Sequence, residues 1–98
     1  MALFSNNRKE RENKIKDELN VFLGKHGAKM INFKYYYKIF GNIVLDVEFR
    51  NIMHRFVTDR GEIYHNEKFV CDNSYHVAGK NDTFEMLIKV IDKNLFSE

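Results

Sequence analysis

A chain of 98 residues is one domain's worth, and its 44% hydrophobic and 14% aromatic content excludes an intrinsically disordered polymer. Sixteen Lys and Arg against fourteen Asp and Glu leave a formal charge of +2, so no strong polyelectrolyte character is imposed. No apolar run approaches the ~18 residues of a membrane span, Met1-Ala2-Leu3-Phe4-Ser5 opens no signal-peptide core, and the lone Cys71 excludes an internal disulfide, so a cytoplasmic protein without a membrane partner is expected.

The first element predicted is an amphipathic helix from about Asn7 to Leu23. Ile15, Leu19, Phe22 and Leu23 fall at i, i+4, i+7 and i+8, one stripe of a 3.6-residue period. The turns preceding that stripe are polar, so residues 1–14 are expected to project into solvent as part of a single domain over 1–98. Gly24 and Gly27 bracket the stop, with Lys25 and His26 near the negative end of the helix dipole.

From Lys29 the period becomes two. Ile31, Phe33, Tyr35, Tyr37 and Ile39 share one face; Asn32, Lys34, Tyr36 and Lys38 share the other. After Gly41-Asn42, Ile43, Leu45, Val47 and Phe49 alternate with Asp46, Glu48 and Arg50. A three-residue loop Phe40-Gly41-Asn42 would pair Tyr37 with Leu45 and Phe33 with Phe49, and set Lys34 opposite Glu48. Arg50-Asn51 reads as a tight turn pairing Val47 with His54 and Asp46 with Arg55, or else as a bulge in one long strand. Asp59-Arg60-Gly61 is a hairpin signal leading into a strand over Glu62–Cys71. Asp72–Asn81 is polar and reads as a loop. Asp82 and Glu85 form a capping box for a last helix with Phe84, Leu87, Ile88, Ile91 and Leu95 as its buried stripe.

The expected fold is therefore α+β, in the order α-β-β-β-(β)-α. It is a two-layer α/β sandwich in which N- and C-terminal helices cover one face of a three- to four-stranded antiparallel sheet. That order is similar to the double-stranded-RNA-binding domain. However, the basic opening of that family's last helix is replaced here by Gly79-Lys80-Asn81-Asp82-Thr83-Phe84-Glu85, with two acids, and membership is not inferred.

Chemistry-bearing residues are sparse. His54, His65 and His76 are each eleven apart, with Cys71 between the last two, but no Cys-x-x-Cys or His-x₃₋₅-His pair supports a zinc site. No metal or cofactor is expected. A His-dependent small nuclease using His54 or His65 with Glu48 or Glu67 is the third-ranked reading. Cys71 reads as a small buried hydrophobe rather than a nucleophile, and His54, on the apolar face of the tight-turn pairing, as a hydrogen-bonded structural histidine. No glycine-rich phosphate loop is present.

The uncovered face of the sheet is the remaining candidate. Lys34, Tyr36, Lys38 and Arg55 lie there, with Val44, Met53 and Val57. Tyr, Met and Arg are the residue types enriched at protein interfaces. The leading expectation is a small non-enzymatic protein-binding module of inhibitor, immunity, antitoxin or phage anti-defence type. Tyr36 and Arg55 are its anchors and Lys34 and Lys38 its rim. The alternative is a weak nucleic-acid binder using the same four residues, and a homodimer contact on this face is left open. Eleven Lys against five Arg, with eleven Asn and no Pro, is the bias of AT-rich coding and points to a low-G+C bacterium or one of its phages.

Overall fold

Helix α1 spans Ala2–Lys25, and the predicted stripe is what it buries: Ile15, Leu19 and Leu23 are inaccessible, with Phe22 half-buried beside them. The computed structural model describes residues 2–36, 42–72 and 82–97, with side chains over 9–36, 42–71 and 84–97. The helix stops where Gly27 takes φ 76°, a left-handed position that glycine adopts without a Cβ penalty. The Ala28 N–H then reaches back to the Leu23 carbonyl at 2.9 Å and the Gly27 N–H to Gly24 at 3.2 Å, the paired bonds of a Schellman stop.

Five antiparallel strands follow in spatial order β1-β2-β3-β4-β5: Lys29–Tyr36, Asn42–Phe49, Ile52–Asp59, Glu62–His65 and Lys68–Asp72. The two-residue turns Arg50-Asn51, Arg60-Gly61 and Asn66-Glu67 all hold both residues at positive φ, from 52° to 93°. That backbone sign matches the right-handed twist of the flanking strands. Of the two readings of Arg50-Asn51 the tight turn is the one formed, pairing Phe49 with Ile52, Val47 with His54 and Asp46 with Arg55.

Two expectations are corrected. Strand β1 pairs Phe33 with Leu45 and Tyr35 with Ile43, so Lys34 faces Val44 and it is Lys29 that faces Glu48. The shift from the predicted register is even, so Phe33 and Tyr35 still point to the core. A bulge at Ile31 turns that side chain outward, 46% exposed, and sends Met30 to the core in its place. The second correction concerns Glu62–Cys71, which is two strands folded at Asn66-Glu67. Val70 is the extra residue of a bulge there, so Phe69 faces Tyr64 while Cys71 faces Ile63. The loop residues Tyr37 to Gly41, the Asp82 side chain of the capping box and residues 73–81 lie outside the described residues.

Helix α2, Asp82–Ile91, and α1 lie on the same sheet face. Their apolar stripes meet Ile43, Leu45, Val47, Phe56 and Ile63 in one core. Each such side chain contributes about 1.5–3 kcal/mol relative to exposure. The buried stripe of α2 is Phe84, Leu87, Val90 and Ile91, with Ile88 only partly covered. The chain continues into a π-helical turn, Asp92–Phe96, whose wider winding gives three consecutive residues separate tasks. Leu95 enters the core, Asn94 reaches β4, and Phe96 joins an aromatic cluster at the end of the sheet.

Candidate functional site

The opposite face of the sheet carries no helix from among the described residues. Lys34, Tyr36 and Arg55 are on it, as the alternation predicted, together with Val44, Met53 and Val57. Lys38 lies outside the described residues.

Asp46 organises this face from the centre of β2. Its carboxylate accepts from Arg55 Nε at 2.8 Å and Nη2 at 3.0 Å, a two-pronged pair across the β2–β3 rung, and from Asn32 Nδ2 at 3.4 Å on β1. The Arg55 hydrogen bond, foremost, holds the Asp46 carboxyl below its usual range, with the fields of Arg55 and Lys34 adding to it against partial burial. Arg55 itself is pushed upward by the same hydrogen bond. Arg55 is thus an anchored guanidinium rather than a mobile cation, with 56% of its side chain still exposed. Its strand position is fixed further by Asn66, whose side-chain oxygen accepts from the Arg55 N–H at 2.8 Å.

Around that pair the face is apolar. Met53 is 53% exposed and Phe69 57%, against 39% for Tyr36. Phe69 meets Tyr64 edge-on at 5.8 Å, and the Tyr64 hydroxyl donates to Glu62 at 2.6 Å. Phe69 was not identifiable from the sequence: strict alternation puts it on the same side as Cys71, and only the bulge at Val70 separates them. Cys71 is half-buried against the core.

On the covered face the structure brings two of the three evenly spaced histidines together. His54 Nδ1 and His65 Nε2 are 2.9 Å apart, and the Asn94 amide nitrogen lies 3.1 Å from His65 Nδ1. The ring centroids are 5.1 Å apart, so the contact lies along the line joining the rings. That is an N–H···N hydrogen bond and not two lone pairs converging on a third point. Asn94 donates to His65 Nδ1, which places the His65 proton on Nε2 and makes His54 Nδ1 the acceptor. Both imidazoles are held below their usual range, His54 by burial and His65 by burial and then by its neighbour. His65 also stacks on Phe56 at 4.3 Å. Glu48 belongs to the opposite face of the sheet, so it does not complete an acid–base pair with His54. His76 lies outside the described residues. Among the described residues no group of three or more His, Cys, Asp or Glu side chains converges, and no helix is long and apolar enough to cross a membrane.

No family model, no curated protein and no solved structure matches this chain. What the site does must therefore be read from its own geometry.

Proposed function

We propose that this domain is a non-enzymatic protein-binding module, of inhibitor, immunity, antitoxin or phage anti-defence type, that takes a folded protein partner on the open face of its sheet. One observation carries the reading: Met53 and Phe69 are more than half exposed on the same face as an Arg55 guanidinium already fixed by Asp46. Aromatic, Met and Arg side chains supply most hot-spot energy, and an anchored Arg loses less conformational freedom on binding than a mobile one. The complement is a protein surface whose apolar groups meet Met53 and Phe69 on either side of charges that answer the central Asp46–Arg55 pair, with Lys34 and Glu48 beside it. A nucleic-acid surface is less well supported, because a carboxylate sits at the centre of the basic residues. The nuclease reading has its two histidines hydrogen-bonded to each other.

The test is capture of a partner from source-cell lysate after nuclease treatment, by the wild type and by two variants. One protein retained by the wild type and by Val21→Lys, on the exposed side of α1, but lost by Tyr36→Ala plus Arg55→Ala, is the expected result. Retention by the double variant within about 0.5 kcal/mol of wild-type affinity would place the interface elsewhere. Capture that disappears with nuclease would transfer the face to nucleic acid.

A further inference from the structure

We propose that His54, His65 and Asn94 form a pH-sensitive clasp that holds the π-helical turn Asp92–Phe96 on the sheet at neutral pH and releases it in mild acid. The geometry is a linear chain of three polar groups across three elements: Asn94 on the π turn, His65 on β4 and His54 on β3. Through it the π turn is tied by side-chain hydrogen bonding to β4 and, one residue further, to β3.

Donor and acceptor counting shows why acid opens it. In the neutral state Asn94 donates to His65 Nδ1 and His65 Nε2–H donates to His54 Nδ1, so every facing pair is one donor and one acceptor. A first proton goes to His65 Nδ1 and is accommodated if the Asn94 amide turns its oxygen toward it. A second has only His54 Nδ1 to go to, and that nitrogen already receives the His65 hydrogen. Two donors then face each other at 2.9 Å, on two like charges. Repulsion and partial burial act together there.

The surroundings offer little relief. His54 has Val47 across from it on β2, and Phe56 of β3 covers the His65 ring. Lys68, opposite His65 on β5, is a further cation. Asp92 and Lys93 on the π turn are exposed and of opposite sign. At the end of the turn His26, from the segment after α1, stacks on Phe96 at 4.2 Å, and Arg50 lies over Phe49, which meets Phe96 edge-on. These ring contacts hold the end of the turn without involving His54 or His65, so His26 is a control position.

The direction with pH follows from linkage. The unfolded or released chain binds these protons more readily than the clasped one, because both rings are held below their usual range. The clasp is therefore at full strength above the ordinary imidazole range and weakens as pH falls through and below it.

Amide hydrogen exchange read by NMR tests this on the intact chain. Protection of the Leu95 and Phe96 amides is expected to fall at least about tenfold between about pH 7.5 and pH 5, while Leu45 and Phe56 in the sheet keep theirs. His54→Gln, which retains an acceptor for His65 but cannot take a proton, should flatten that response; His26→Gln should leave it in place. Flat protection in the wild type, or an undiminished fall in a folded His54→Gln, overturns the clasp. Should that variant not fold, ring nitrogen shifts of the wild type decide. At about pH 7.5 both Nδ1 atoms must be unprotonated, and two rings titrating as free imidazoles would overturn the proposal.

Discussion

Thr58 is the one buried polar side chain among the described residues, 2% exposed, and its job is specific. The regular β2–β3 rungs begin at Val44 and Val57; one residue earlier, the Ile43 N–H donates to the Thr58 hydroxyl at 2.9 Å. Beyond that point the ends are tied by side chains, with Asn42 Nδ2 donating to Asp59 at 3.3 Å and the Arg60 N–H to Asn42 Oδ1 at 3.0 Å. Thr58→Val keeps the shape but leaves a buried amide without an acceptor, a loss of about 1–3 kcal/mol. Thr58→Ser keeps the acceptor and removes one methyl, a loss of about 0.8 kcal/mol. Urea unfolding should therefore give a lower midpoint for Val than for Ser at unchanged slope. The reverse order would mean that the methyl, not the hydroxyl, holds this corner.

Turns and strands separate what is locally encoded from what is not. Arg60-Gly61 was legible from its Asp-Arg-Gly signal, whereas at Arg50-Asn51 alternation admitted both a tight turn and a bulge, and only the structure decides for the turn. Asn66-Glu67 was not legible, because Asn66 admits positive φ but Glu67, at 71°, is a residue type that does not announce it. The turn is held instead by Asn66, which exchanges two hydrogen bonds with the Arg55 backbone at 2.8 Å each. The even register shift of β1 was invisible for a different reason. Alternation decides which side chains face inward, and every even shift satisfies it equally. The histidine pair was half legible: once Phe56 faces His65, His54 is its diagonal neighbour, two residues along β3. Asn94 was out of reach, since a 3.6-residue period does not announce a π turn. These considerations predict that Glu67→Gly stabilises the domain. A left-handed L residue costs roughly 1–2 kcal/mol and glycine's extra unfolded-state freedom returns roughly 0.5–1. The expected gain is up to about 1.5 kcal/mol, read as a higher urea midpoint. A lower midpoint would show that the Glu67 charge, which acts favourably on Arg55, outweighs the backbone strain.

At the scale of the molecule, the meander converts chain order into spatial order. Residues 1–60 hold twelve basic and seven acidic side chains and build α1 and β1–β3, while residues 61–98 hold four and seven and contribute β4, β5 and α2. The imbalance gives the sheet a basic side and an acidic side, which can orient an approaching partner. It does not by itself make a phosphate reader, because at the middle of the open face Asp46 neutralises Arg55 and Glu48 stands opposite Lys29. Nucleic-acid binding is driven by cations whose counterions are released, and a cation already paired with a carboxylate has few to release. The wild type should therefore show no saturable binding to a labelled single-stranded or duplex oligonucleotide below about 100 µM at physiological salt, weaker than ordinary non-specific affinity. Asp46→Asn removes the carboxylate charge while keeping a hydrogen-bond acceptor for Arg55. It should raise oligonucleotide affinity, with a salt dependence steeper by about one phosphate contact. Low-micromolar binding by the wild type that falls steeply with salt would mean that the basic side, not the apolar patch, is what this face presents to its partner.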